Sequence, residues 1–394
     1  MAGKWHQQRW GDLAVLEYGK GLKGYENGKG TYRVFGTNGP IGWTSEPLFK
    51  DATVVVGRKG AYRGIHFSSE PCFVIDTAFY LVPKVDFDMK WAYYELLTHD
   101  INAMDSGSAI PTTSRDSFYL LSVNVPPLPE QHVIADILGT FDYKIAINQE
   151  MNKTLEKIGQ ALFKHWFIDF EFPNEKGKPY KSSGGEMVDS EMGEIPKGWQ
   201  VKKVGDVIDI FGGTTPSTKE SKYWEGGTIH WATPKDLSEL DSPVLIDTER
   251  KITPQGLATI SSGLLPAGTV LLSSRAPIGY TAISQIPVSI NQGFIAMVCS
   301  HELPNYYVFS WVQFNLNIIK SVASGTTFEE VNKSNFRRLD ILVPPSGLLS
   351  KFSTIFGSLY ECILNNSFKA RTLASVRDSL LPRLMSGQIR VPAG

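Results

Sequence analysis

The sequence predicts an α+β protein with an internal repeat: two globular domains of mixed α/β structure and two long helices that form a coiled coil. Gly107–Ile110 reappears in outline as Gly325–Phe328, and Val125–Pro127 recurs as Val343–Pro345 at the same offset in residue number (325 − 107 = 343 − 125 = 218). This offset is the repeat length. A helical pattern follows each Pro-Pro pair and stays in register without an insertion. Two copies, rather than many, favour a molecule with pseudo-two-fold symmetry and two similar working surfaces.

The composition is typical of a globular protein from a reducing compartment. A chain of 394 residues with 42% hydrophobic content can hold two or three domains. The three cysteines, Cys72, Cys299 and Cys362, are far apart and outside any CxxC pair, which argues against disulfides and a zinc site. The N-terminus has no apolar signal segment, and no run approaches the roughly 18 apolar residues of a membrane span. We therefore expect a cytoplasmic protein.

The net charge of −1 gives no general support for nucleic-acid binding, but the charge is unevenly distributed. Between Gly19 and Gly64, eight basic residues stand against three acidic ones. This local excess fits contact with DNA and fits an ordinary solvated surface equally well.

Short strands between Gly- and Pro-rich turns are predicted for the globular parts. Thr53–Val56 and Ala78–Val82 have the apolar, β-branched composition of buried strands. The second copy shows the same order, with strands predicted at Thr269–Leu272 and Gly293–Val298. Small insertions shift the offset here, so we expect the globular parts to diverge more than the helices.

Long coiled-coil helices are predicted because a seven-residue apolar repeat persists over five heptads in each copy. The predicted seam takes five residues from each copy: Ile134, Phe141, Asn148, Leu155 and Leu162, then Phe352, Leu359, Asn366, Leu373 and Leu380. A companion line three residues further on includes Met151 and Ile158, and Leu138, Ile145 and Trp166 widen the apolar stripe. The alternative is a single amphipathic helix packed against each globular core.

Asn148 and Asn366 interrupt the apolar seam at equivalent positions of the repeat. If the helices pair antiparallel about the pseudo-two-fold axis, their midpoints meet and the two asparagines hydrogen-bond across the seam. A polar residue at such a position fixes the register at some cost in stability. The alternative is that one or both asparagines face solvent, because the apolar stripe rotates around the helix and leaves the interface at this point.

No catalytic or cofactor-binding motif is convincing. Gly19–Gly24 matches GxGxxG, but a loop-like segment follows instead of the helix that a dinucleotide site needs. The sequence contains no GxxxxGK[ST], and its seven histidines are scattered without HxxxH spacing. The pattern favours a binding protein over a catalyst, with no metal site.

Glycine-rich turns that carry basic, amide and aromatic side chains are the candidate recognition surfaces. Such turns let the backbone approach a ligand, while Arg and Asn can read base edges and Lys and hydroxyl groups can bind phosphates. The candidate DNA-binding residues of the first copy are Lys20, Lys23, Asn38, Trp43, Arg58, Lys59, Tyr62, Arg63 and Ser108. Those of the second copy are Thr215, Lys222, Trp224, Lys235, Arg275, Gln292, Thr326 and Thr327.

Three segments resemble the specificity subunit of type I restriction–modification systems. Ile195–Val201 and Gly226–Leu237 are similar to parts of that family's target-recognition domains, and Ser379–Ile389 is similar to its closing segment. The resemblance covers essentially the whole chain, and it is weakest in the first globular domain. The predicted organisation is then target-recognition domain 1 at 1–128, a long helix at 129–171, a connector at 172–197, target-recognition domain 2 at 198–345 and a second long helix at 346–394.

The resemblance implies two target-recognition domains held apart by an antiparallel coiled coil. Each domain would read one half of a bipartite, asymmetric site in double-stranded DNA. The helices would dock two DNA-adenine methyltransferase subunits, and restriction–translocase subunits would join through that complex. S-adenosylmethionine and ATP with magnesium would bind those partners, so no cofactor is expected in this non-catalytic chain. The alternative function is a coiled-coil scaffold with two protein- or glycan-binding domains.

Overall fold

The computed structural model describes residues 4–105, 110–299, 302–325 and 329–392. The chain divides into two compact units, and each unit combines a globular part with one end of both long helices. Unit 1 comprises Met1–Ile145 and Arg371–Gly394, and unit 2 comprises Ala146–Ala370. The boundary between the units therefore falls inside both long helices.

Three small sheets form the globular part of unit 1. Its strands are β1 (His6–Arg9), β2 (Ala14–Tyr18), β3 (Tyr32–Gly36), β4 (Gly39–Thr44), β5 (Thr53–Gly57), β6 (Ile65–Ser68), β7 (Cys72–Val74), β8 (Ala78–Pro83) and β9 (Ser122–Val125). A four-stranded antiparallel sheet has the order β2-β8-β5-β6, and a three-stranded sheet has the order β4-β3-β7 with β3 and β7 parallel. Strands β1 and β9 form a separate antiparallel pair.

The helices of unit 1 are α1 (Trp10–Leu13), α2 (Met89–Leu96), α3 (Arg115–Tyr119) and the first part of α4 (Leu128–Phe163). Its core joins the sheet to the long helices through Trp10, Trp91, Phe118, Ile134, Leu138 and Leu384, all of which are buried. The carboxylate of Glu130, in the first turn of α4, accepts hydrogen bonds from Trp5 and Arg390. These bonds tie both ends of the chain to the same helix.

Unit 2 repeats the same three sheets and adds a fourth, an antiparallel pair of strands. Its strands are β10 (Met187–Ser190), β11 (Gly193–Pro196), β12 (Gln200–Lys203), β13 (Asp209–Phe211), β14 (Ile229–Ala232), β15 (Val244–Leu245), β16 (Arg250–Ile252), β17 (Val270–Ser273), β18 (Thr281–Ser284), β19 (Ser289–Ile290), β20 (Phe294–Val298) and β21 (Asp340–Val343). The sheet β13-β20-β17-β18-β15 corresponds to the four-stranded sheet of unit 1 with one added edge strand. The sheet β16-β14-β19 and the pair β12-β21 correspond to the other two, and the pair β10-β11 is the addition.

The remaining helices are α5 (Val204–Val207), α6 (Pro234–Ser238), α7 (Pro254–Leu257), α8 (Asn305–Phe314), α9 (Leu316–Ser321), α10 (Lys333–Arg337) and α11 (Ser346–Met385). Residues 233–249, which contain α6 and β15, join β14 to β16, whereas a two-residue turn joins β3 to β4 in unit 1. The connection is fifteen residues longer in unit 2 (17 − 2 = 15), which is one source of the slipping offset in the globular parts. Within the described residues, no helix is long and apolar enough to cross a membrane.

The long helices pack antiparallel within each unit. In unit 2, the ring of Phe163 lies 6.1 Å from that of Phe352, whereas Asn152 contacts Asn366 further along. In unit 1, Asp142 accepts a hydrogen bond from Arg377. Residue numbers thus fall on one helix as they rise on the other, which fits the predicted antiparallel coiled coil.

The second line of the seam lies four residues after the first, not three. Ile134 and Phe352 are buried as the heptad pattern predicts, and the remaining apolar seam residues are partly buried. Met151 and Ile158 of the predicted companion line are exposed, whereas Leu138 and Gly159 are buried. In a seven-residue repeat the apolar positions are spaced alternately three and four residues apart. The residue types alone did not show whether the second line follows the first by three or by four residues.

Asn366 pairs with Asn152, one turn of α4 away from Asn148, the partner that the sequence predicted. The Nδ2 group of Asn366 donates to Oδ1 of Asn152 at 3.0 Å, and both side chains are buried. Asn152 lies one helical turn beyond Asn148. The residue one repeat length after Asn152 is Ala370, so the polar pair breaks the internal symmetry.

Replacing Asn366 with leucine is expected to lower the free energy of unfolding by about 1–3 kcal/mol, because the buried Oδ1 of Asn152 loses its donor. Urea denaturation measures the effect. Asn365→Leu is the matched control, since Asn365 is exposed and its replacement is expected to change stability by about 0.5 kcal/mol or less. Equal stability of the two variants would show that the pair contributes nothing.

Glu156 of α4 lies in a cleft of about 400 Å³ in unit 2, which Asp241, Tyr280 and Gln313 also line. Burial raises the pKa of its carboxyl group from 4.5 to about 7, and Lys153 opposes that rise. Between these pH values the folded chain binds this proton more strongly than the unfolded chain does. The contribution of Glu156 therefore favours folding in acid, and stability is lost as the pH rises through this window.

Glu156→Gln is expected to raise the stability of unit 2 relative to the unmodified chain at pH 8 and to have little effect at pH 4.5. Urea midpoints at the two pH values, followed by hydrogen exchange of unit 2 amides, test this. Glu150→Gln, an exposed carboxylate on the same helix, is the control. A stability difference that is the same at both pH values would contradict the assignment.

Candidate nucleic-acid interface

An interior strand of each main sheet, β5 in unit 1 and β17 in unit 2, is followed by a turn that contains basic residues. After β5, the carbonyl group of Arg58 accepts a hydrogen bond from the amide of Thr113 at 2.8 Å. After β17, the carbonyl group of Ser274 accepts one from the amide of Val331 at 3.0 Å. Thr113 and Val331 are separated by one repeat length, so Ser274 is the structural equivalent of Arg58.

Lys59 is therefore the structural equivalent of Arg275. Lys59 forms an isolated bridge with Thr112, and Arg275 forms one with Glu330, which again lies one repeat length after Thr112. The two turns share their backbone positions but carry different side chains.

Arg58 and Arg63 have different roles, although both belong to the same basic turn. Arg58 is partly exposed; its guanidinium group lies 4.7 Å from the ring centroid of Tyr18 and donates to the carbonyl of Asp76. Arg63 is only 4% exposed and donates to the carbonyl groups of Gly60, Ile101 and Asn102. Arg63 is thus a structural residue, which corrects its prediction as a DNA contact.

The other unit 1 candidates lie at the surface. Tyr62 is 82% exposed, and Lys20, Lys23 and Asn38 are exposed as well. Trp43 is partly buried, and the guanidinium group of Arg33 lies 4.3 Å from its ring centroid. These side chains are accessible to a large ligand without a change in the core.

Two of the unit 2 candidates are brought together by the fold. The hydroxyl group of Thr215 donates to Oε1 of Gln292 at 2.6 Å, and both residues are exposed. The two residues are far apart in the chain, and the sequence alone gave no sign of this pairing. Together they present an amide and a hydroxyl group, which is a combination suited to base edges or phosphates.

The cationic candidates of unit 2 are paired with carboxylates. Lys222 lies 3.3 Å from Glu220, Lys235 lies 2.8 Å from Glu249, and Arg275 lies 3.5 Å from Glu330. Hydrogen bonding to Glu249 raises the pKa of Lys235. These pairs are exposed or partly exposed and hence weak, so an anion can displace the carboxylates.

Trp224 is held in place by its neighbours in unit 2. Its indole NH group donates to the carbonyl of Ser217, and its ring packs edge-on against Trp231 at 5.0 Å. The guanidinium group of Arg250 lies 3.6 Å from its ring centroid. Arg250 was not predicted, and a cation stacked on a candidate aromatic residue gives no signal in sequence.

Ser108, Thr326 and Thr327 lie outside the described residues. Within the described part of the chain, no group of three or more His, Cys, Asp or Glu side chains is placed to hold a metal ion.

The fold and its two related surfaces define a duplicated recognition protein with two globular modules on paired long helices. The Type I restriction modification DNA specificity domain matches residues 3–157 and 196–363, one match in each copy of the repeat. This chain therefore belongs to the family of type I restriction–modification specificity subunits.

Similar proteins span most of the chain. The MjaIX type I restriction enzyme specificity subunit of Methanocaldococcus jannaschii is 36% identical over 352 residues, which cover 87% of this chain and 79% of that subunit. The HindI specificity subunit of Haemophilus influenzae is 26% identical and covers 73% of each chain. The fold is similar to the crystal structure of an S subunit from M. genitalium, with a TM-score of 0.60 at 17% identity over 97% of this chain and 96% of that one.

Proposed function

We propose that this chain is the non-catalytic DNA-specificity subunit of a type I restriction–modification complex and reads a bipartite, asymmetric site. The observation that carries the proposal is the combination of one scaffold with two different surfaces. The units share their three sheets, yet Arg58 of unit 1 corresponds to Ser274 of unit 2. A common scaffold with unlike contact residues suits two half-sites of unlike sequence.

The long helices are proposed to dock two DNA-adenine methyltransferase subunits, through which restriction–translocase subunits join the complex. Apolar side chains remain exposed along both helices: Tyr143, Ile147, Met151 and Ile158 on α4, and Ile355, Phe368 and Val376 on α11. Exposed apolar rows of this kind mark surfaces for partner proteins. S-adenosylmethionine and ATP with magnesium are assigned to the partners.

The second candidate function is a coiled-coil scaffold that binds proteins or glycans through its globular parts. A salt titration of the assembled complex separates the two functions. DNA binding through phosphates loses affinity steeply as salt rises, because each contact releases counterions. Binding to an uncharged glycan, with no specific binding to DNA, would favour the scaffold.

Arg58→Ala and Arg275→Ala are expected to impair recognition of different half-sites. Loss of a bidentate arginine contact to a base costs about 1–3 kcal/mol of discrimination. The measurement is methylation by the assembled complex of DNA libraries in which either half-site is randomised. An equal loss on every DNA sequence for both variants would show that these arginines contact phosphates and do not read bases.

A further inference from the structure

A basic residue occupies the same position of the repeat in both units. Arg115 is the first residue of α3, and Lys333, one repeat length later, is the first residue of α10. The preceding residues, Ser114 and Asn332, cap these helices with side-chain hydrogen bonds. The first turn of a helix favours acidic side chains, so a cation at this position in both copies is not explained by helix stability.

In unit 1, Arg115 shares an exposed aromatic ring with Arg58. Their guanidinium groups lie 5.0 Å and 4.7 Å from the ring centroid of Tyr18, which is 45% exposed. Arg115 also donates to the hydroxyl group of Tyr119. Neither arginine forms an ion pair with a carboxylate among the described residues. Two like charges beside one ring repel each other, and an anion between them relieves that repulsion.

In unit 2, Lys333 lies at the corresponding strand end. Gly212 follows β13 directly, as Tyr18 ends β2, and a Cβ atom placed on it would lie 3.2 Å from Nζ of Lys333. Lys333 is exposed and forms no ion pair within the described part of unit 2.

The surrounding scaffold confirms that the two positions correspond. The hydroxyl group of Tyr119 accepts a hydrogen bond from the amide of Leu16, and Arg337, one repeat length after Tyr119, donates to the carbonyl of Ile210. Strands β2 and β13 are thus tied to α3 and α10 at matching points. Arg115 and Lys333 then leave these helices at the same place in their units.

We propose that Arg115 and Lys333 are equivalent contacts to the DNA phosphate backbone, one in each recognition unit. Units that read different half-sites need different base-reading residues, whereas the phosphate backbone is the same for every sequence. The cation retained at 115 and 333 fits a backbone contact, and the unlike pair Arg58 with Ser274 fits base recognition. This inference rests on the proposed DNA-recognition function.

The test is DNA affinity of the complex with its methyltransferase subunits, measured against salt concentration on cognate and unrelated duplexes. Arg115→Gln and Lys333→Gln are each expected to weaken binding by the same factor on both duplexes. Each should reduce the salt slope by about 0.9, and the double variant by about twice that. Arg115→Lys should leave the salt slope unchanged, because lysine keeps the positive charge. This variant therefore separates the effect of the charge from the effect of packing against Tyr119.

Lys197→Gln is the matched control, because it removes one exposed cation that is already paired with Glu186 at 2.9 Å. An unchanged salt slope in both glutamine variants would overturn the proposal, as would a change in the methylated sequence, which would make these residues base readers. If the unmodified complex showed no salt-dependent, sequence-specific binding, the proposed function itself would fail.

Discussion

Phe352→Ala is expected to reduce the stability of unit 2 by about 3–5 kcal/mol, the usual cost of removing a fully buried aromatic ring. Phe352 is 0% exposed, and its ring lies 5.0 Å from that of Phe167 and 5.3 Å from that of Phe356. It joins α11 to the end of α4 and to the unit 2 core. Its loss leaves a cavity where helix and globular part meet.

Urea denaturation combined with hydrogen exchange measures this loss of stability. Hydrogen exchange reports on each unit separately, which is needed if the whole chain does not unfold in one step. Ile355→Ala is the matched control on the same helix, since Ile355 is 44% exposed. We expect the control to change stability by about 0.5 kcal/mol or less. Similar losses in the two variants would contradict the assignment of Phe352 to the core.

Inserting one heptad into both long helices is expected to lengthen the preferred spacer between the half-sites. The insertion points are after Ile145 in α4 and after Ala370 in α11, where the chain divides into its two units. Seven residues add roughly 10 Å of helix, or about three base pairs at 3.4 Å each. A whole heptad keeps the apolar seam in register on both sides of the insertion.

The spacer is read from the DNA that the variant complex methylates. Insertion into α4 alone is the control; it breaks the pairing of the helices and should lower stability instead of changing the spacer. An unchanged spacer in the double insertion would count against the proposal that the helices set the distance between the half-sites.

Features with a local or periodic signal were predicted from the sequence. The strand predicted at Thr53–Val56 is β5, and the strand predicted at Gly293–Val298 is β20. The Pro-Pro pairs precede both long helices, which begin at Leu128 and Ser346. Each of these features depends on residues that are neighbours in the chain.

Features set by distant contacts were missed. A heptad pattern defines an apolar stripe but not how far one antiparallel helix is shifted along the other, and the pair Asn152–Asn366 lies one turn from the predicted one. Arg63 sits in a basic, glycine-rich turn, yet the carbonyl groups of Ile101 and Asn102, distant in the chain, hold it in the interior. The proposed phosphate contact Arg115 did have a sign in the sequence, because another basic residue, Lys333, lies one repeat length beyond it.

The proposal of bipartite recognition is tested most directly by mapping methylated adenines in DNA modified by this chain together with its methyltransferase subunits. We expect two unlike half-sites at a fixed separation, about one helical turn or roughly 10 base pairs between their centres. Methylation within a single continuous site, or within two half-sites at variable separation, would contradict recognition by two units on a fixed helical frame.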